Sequence, residues 1–145
     1  KILIITSSRK DSLKGNTITA KRWKKILEEL GHRAEIHQTF NHSQEWDILL
    51  ALHSVKSFEM IKDFHELYPL KPILVALTGT DLYRDMKKKP ETLSVLDWAK
   101  AIIVLQPLAI KELPKRYHSK VHVIFQSVDT KGIYHQPGFS KRPAI

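Results

Sequence analysis

The sequence predicts an α/β fold, a doubly wound parallel sheet of about six strands, from three features of its patterning. The apolar residues come in short continuous runs, KILIIT, WDILLAL, PILVAL and AIIVL. A strand wet on one side would alternate instead, so these runs read as buried on both faces. Segments with helical spacing of apolar residues lie between the runs, the alternation that builds a parallel sheet. Hydroxyl, amide and charged residues bunch directly behind the runs, as in TGTDLYRD after Leu77.

The first strand is Lys1 to Thr6, followed by the polar loop SSRKDSLKGN. Asn16 stands where a helix N-cap belongs, its side chain suited to accept an orphan backbone N–H. From Thr17, residues Trp23, Ile26, Leu27 and Leu30 recur at i, i+3, i+4 and i+7, which predicts a helix with one apolar face. Gly31 supplies its left-handed stop. HRAEIHQ reads as a second strand and Trp46 to Leu52 as a third. Phe58, Ile61 and Phe64 mark a helix that ends before Pro69. Pro72 to Leu77 is the fourth strand, and Pro90 opens a short helix reaching about Ala99, a position where its missing N–H costs nothing. Ala101 to Leu105 is the fifth strand, Ile110 to Leu113 a brief helix, and Val121, Val123 and Phe125 mark a sixth strand. Residues 1–127 thus form one Rossmann-like domain, right-handed crossovers setting its topology. Residues 128–145 carry glycine, proline and charge and read as a linker or tail.

Length and composition narrow the classes. A chain of 145 residues suits a single domain, for which about 150 residues is the ordinary expectation. No apolar run approaches the ~18 residues of a membrane span, and KILIIT is too short for a secretory signal core. Cysteine is absent, so neither a disulfide framework nor a thiolate metal site is expected. No histidine pair has convincing ligand spacing with a carboxylate, so no metal site is expected. The expected compartment is the cytoplasm. The 24 basic residues against 15 acidic give +9, which suits anionic partners. KRWKK and KKK lack the interleaved aromatics or recognisable module of a nucleic-acid binder, so no nucleic-acid partner is expected.

In a parallel sheet the loops behind the strands share one rim, and ligands bind in the crevice there. That rim collects Lys14, Gly15, Asn16, Thr17, His53, Lys56, Thr78, Gly79, Thr80, Asp81, Tyr83, Arg84, Gln106, Gln126 and Ser127, the candidate substrate-binding residues. Gly15-Asn16 opening a helix suits an anion, whose partners are free N–H groups and the positive helix end; a plain loop-to-helix turn accounts for it equally. The segment is neither GxGxxG nor a P-loop, which argues against a nicotinamide dehydrogenase or an ATPase. His53 reads either as a core histidine or as a donor to a sugar hydroxyl or phosphate. Asp81 caps a following helix or takes part in the site, while Arg84 adds a bidentate fork for phosphate or carboxylate. His53, Asp81 and Arg84 are the candidate catalytic residues.

In order and spacing, KILIIT, KGNTITAKRWKKILEELGH, ALHSVKS, VALTGTDLYRD, IIVLQ and VIFQS resemble the N-terminal domain of family-4 glycosyltransferases of the GT-B fold. They are most similar to the branch that includes selenosugar synthase. The resemblance implies one half of a GT-B enzyme, the acceptor side, with a C-terminal domain that grips the nucleotide sugar missing here. It implies transfer of a sugar from a nucleotide-sugar donor to a small anionic acceptor such as selenophosphate, with no metal or other cofactor, and no turnover by this chain alone. An ionised selenium nucleophile needs no general base but does need cationic and N–H contacts to hold it. Lys14, Gly15, Asn16, Lys56 and Arg84 suit that role; Asp81 would orient Arg84 or take a sugar hydroxyl, and His53 and Thr80 would donate hydrogen bonds. Two alternatives stay open: a non-catalytic Rossmann-like module that binds a phosphorylated small molecule, and a family-4 enzyme with a saccharide or lipid acceptor.

Overall fold

The structure, a computed structural model, describes residues 1–6, 15–41 and 43–127. Lys14 and the tail 128–145 lie outside the described residues. Six strands form one sheet in the order β2-β1-β3-β4-β5-β6. They are β1 (Ile2–Thr6), β2 (Ala34–His37), β3 (Ile48–Leu52), β4 (Ile73–Leu77), β5 (Ala101–Val104) and β6 (Val121–Val123). Every neighbouring pair is parallel, with Ile4 opposite both Ile36 and Leu50, and Val75 opposite both Ala51 and Ile102. The chain therefore has the doubly wound Rossmann-like architecture that its apolar runs predict.

Successive strand side chains point to opposite faces, and both faces carry a core. On one side Leu3, Ile5, Leu49, Ala51, Val75 and Ile102 pack with Ile61 and Phe64 of α2 (Phe58–Leu67) and with Val95 and Leu96 of α4 (Ser94–Trp98). On the other, Ile2, Ile4, Leu50 and Leu52 meet Ala20, Trp23 and Leu27 of α1 (Gly15–Glu29). At 1.5–3 kcal/mol per buried large apolar side chain, on the order of the usual transfer scale, these two layers dominate the favourable side of folding.

The helix α1 ends as expected, with Gly31 at φ 86, but departs from expectation at its start and in its burial. Helical geometry already includes Gly15, so Asn16 sits inside the first turn rather than capping it. The most buried positions are Thr17, Thr19 and Ala20, whereas Ile26 and Leu30 are 44% and 69% exposed. The cause is a trough of about 290 Å³ lined by Trp23, Ile26, Leu27, Leu50, Leu74, Ile103 and Ile124. The apolar stripe of α1 faces this trough, over which no other helix lies among the described residues.

Downstream, a π-helical turn over Asp81–Asp85 runs into α3 (Met86–Lys88), a helical stretch allowed for only in the reading of Asp81 as a cap. Pro90 opens a 3₁₀ turn, Pro90–Leu93, ahead of α4, as its position predicts. The brief helix expected around Ile110 to Leu113 is a 3₁₀ turn, Pro107–Glu112, and a second, Lys115–Lys120, follows it. The second turn buries Tyr117, whose hydroxyl donates to Asp97 Oδ1 at 2.8 Å. Phe125 lies beyond β6 and is 68% exposed. No helix among the described residues is long and apolar enough to cross a membrane.

Candidate functional site

Because β1, β3 and β4 are adjacent and parallel, the loops behind them open on one rim. Local backbone marks this rim as special. His53, directly after β3, has φ 70, and Gly79, two residues after β4, has φ 126. Left-handed backbone of this kind gathers where a site over-determines it, and π-helical turns are frequent at functional sites.

Asp81 holds the two loops together. Its side chain is fully buried and accepts the N–H of Gly79 at 2.9 Å and those of Thr78 and Ser54 at 3.2 Å. Ser54 follows β3 and Thr78 follows β4, so one carboxylate ties neighbouring strand ends. This corrects the expected role of Asp81 as a partner for Arg84 or a sugar hydroxyl: its oxygens are taken up by amides. Those amides are in turn spent on Asp81, so Gly79 serves the turn rather than an anion.

His53 is buried beside this clamp. The Lys56 N–H donates to its Nδ1 at 3.3 Å, so the ring proton rests on Nε2. From there it donates to Thr80 Oγ1 at 3.1 Å, with Asp85 Oδ2 at 3.5 Å. Burial holds the His53 pKa below its ordinary value of 6.5, against the upward pull of Asp81 and Asp85, with Lys56 adding to the decrease. A neutral imidazole with a fixed tautomer results. Asp85, which the sequence reading missed, also receives Arg84 Nε at 2.7 Å. That hydrogen bond is the main reason the Asp85 carboxyl lies below the usual range and the Arg84 guanidinium above its own. Arg84 stays largely exposed.

A second group surrounds a cavity of about 460 Å³ at the head of α1. Gly15, Asn16, Thr78, Gln126 and Ser127, all expected at the site, line it together with Ile18, Thr19, Arg22 and Leu105. Gln126 Nε2 donates to Thr19 Oγ1 at 3.1 Å, while Thr19 donates to the Gly15 carbonyl at 2.9 Å, so the exit of β6 is fastened to α1. A methyl group on Gly15 would meet nothing within 4 Å, which leaves that side open to a ligand. Ile18, Thr19 and Arg22 follow Gly15 at i+3, i+4 and i+7, a stripe on one helix face. That spacing is the sequence signal that could have found Arg22.

The remaining candidates scatter. Thr17 is buried and faces a different cavity, about 420 Å³, between α1 and β2 with Thr6, Lys21 and His37. Lys56 is exposed. Tyr83 accepts a hydrogen bond from Gln106 Nε2 at 2.6 Å, bridging the loops behind β4 and β5. Among the described residues no group of three or more metal-ligating side chains converges.

Fold and rim together define an α/β protein with a Rossmann-like sheet and a polar crevice at its carboxyl edge. No protein-family model matches the chain, and no curated protein matches it.

Proposed function

We propose that the chain is the acceptor-side half of a glycosyltransferase, acting with a second domain that grips the nucleotide sugar. One observation carries the reading: the segments GNTITAKRW, ALHSVKS and ALTGTDLYRD, which carry the family resemblance, are separated by 18 or more residues along the chain yet border one rim. The reaction is displacement at the anomeric carbon. The acceptor's nucleophilic atom forms the new bond as the bond to the nucleotide's terminal phosphate oxygen breaks, and the nucleoside diphosphate leaves with that electron pair. With selenophosphate as acceptor the new bond is carbon to selenium, and no base has to remove a proton. The chain's part is to hold the acceptor in line, where positioning supplies much of the rate. The Thr80 hydroxyl, oriented by the N–H of His53, serves as a neutral donor, and the exposed outer nitrogens of Arg84 offer charge. No metal or other cofactor belongs to this reading, and its setting is the cytoplasm.

The test uses the native full-length protein with nucleotide sugars, offering selenophosphate beside saccharide acceptors, with products followed by mass spectrometry. Selenosugar formation is the expected result; a saccharide product assigns the ordinary family-4 activity, and no product with any acceptor removes the transferase reading. Calorimetry on the 145-residue chain gives the complement. Weak oxyanion binding without tight nucleotide-sugar binding is expected, and the reverse favours a stand-alone binding module.

A further inference from the structure

The cavity at the head of α1 holds a cation with no counter-charge among the described residues. Arg22 is half-buried in its wall, and no hydrogen bond or ion pair engages the guanidinium among the described residues. Other basic residues have partners, Lys24 with Glu28, Lys25 with Glu29, Arg33 with Glu35 and Arg84 with Asp85, and Lys21, which has none among the described residues, is exposed beside a different cavity. Among the described residues no carboxylate lines this cavity. A lone positive charge in a concave wall focuses the field outward and concentrates anions there. The guanidinium fork also matches two oxygens of a tetrahedral oxyanion at once.

We propose that this cavity binds a phosphate-class oxyanion, with Arg22 as its principal contact. The volume of about 460 Å³ leaves room for more than the anion alone, within the range usual for small-molecule sites. Ile18 and Leu105 give that remainder an apolar flank, and Thr78 and Ser127 lie on the same wall. Thr19 and Gln126 are bonded to each other and shape the wall. The inference deepens the glycosyltransferase reading by naming the residue that holds the anionic reactant. Either a free oxyanion or the diphosphate of a nucleotide carries the required chemistry.

Titration of the 145-residue chain at low salt, followed by amide NMR, tests this with inorganic phosphate and, separately, UDP. Phosphate shifts the signals of Gly15, Asn16 and Ser127, and Arg22→Ala weakens binding about tenfold or more, the loss of one charge-assisted contact. Arg22→Lys recovers part of it. Lys25→Ala removes the same charge from an exposed position on α1 outside the cavity lining and changes affinity by about twofold or less, the weak effect of a charge acting through water. If UDP binds much more tightly than phosphate and Arg22→Ala abolishes the gain, the diphosphate is the source; equal affinities assign a free oxyanion. Arg22→Ala matching wild type, or weakening binding no more than Lys25→Ala, overturns the proposal. Phosphate held by Arg22 in a full-length protein that transfers no sugar would sink the enzyme reading and leave this site standing.

Discussion

His53 and Asp81 sit side by side yet respond to different perturbations. The folded chain disfavours protonated His53 because burial removes water from the cation, whereas the unfolded chain protonates it near pH 6.5. Stability from this residue is therefore complete above about pH 6.5 and declines as pH falls toward the lower folded-state value. His53→Asn, which keeps a residue tolerant of left-handed backbone, flattens that decline in urea melts recorded across the pH range. Asp81→Ala leaves three amides without their acceptor and costs about 3 kcal/mol, since buried groups deprived of charged partners are expensive. Urea unfolding reads the loss directly, and a change below about 1 kcal/mol would show the clamp to be slack. The rim position of both residues was legible in the sequence, because His53 directly follows one apolar run and Asp81 lies in the polar segment behind another. Their work was not. Whether a carboxylate meets a substrate or its own backbone depends on the direction of three N–H groups, which no spacing of residue types records.

Strands were the most readable elements, since a buried parallel strand needs only a short apolar run and a polar stop. The helices divided. α2 follows its pattern: Ile61 and Phe64 are buried, and Phe64 packs edge-on to Phe40 with ring centres 5.7 Å apart. α1 shows the same kind of apolar spacing but points part of it into an open trough. The two helices therefore give opposite responses to truncation. Phe64→Ala costs about 3–5 kcal/mol, the usual loss for emptying a buried aromatic site. Leu30→Ala, 69% exposed, changes stability by about 0.5 kcal/mol or less. Equilibrium unfolding of the pair decides whether the helical pattern or the observed packing describes α1. The turn Asp81–Asp85 was legible only as the helix behind a capping Asp81, because LYRDMKKK offers a helix only scattered apolar residues, Leu82 and Met86, both of which turn inward.

Across the whole molecule, the sheet brings together loops that the chain keeps far apart, and its order carries a cost in folding. β1 lies between β2 and β3, and both come later in the chain. Ile4 finds Ile36 on one side and Leu50 on the other, so neither edge of β1 is satisfied by its immediate sequence neighbours. Distant pairings of this kind form slowly, because loop closure must precede any reward. Until residue 37 has been made, a newly synthesised chain carries its first apolar strand with both flanks bare, and one flank stays bare until residue 52. Such flanks invite pairing with other chains. The arrangement that gathers the rim thus also makes the nascent protein a natural client for factors that shield unfinished β-structure.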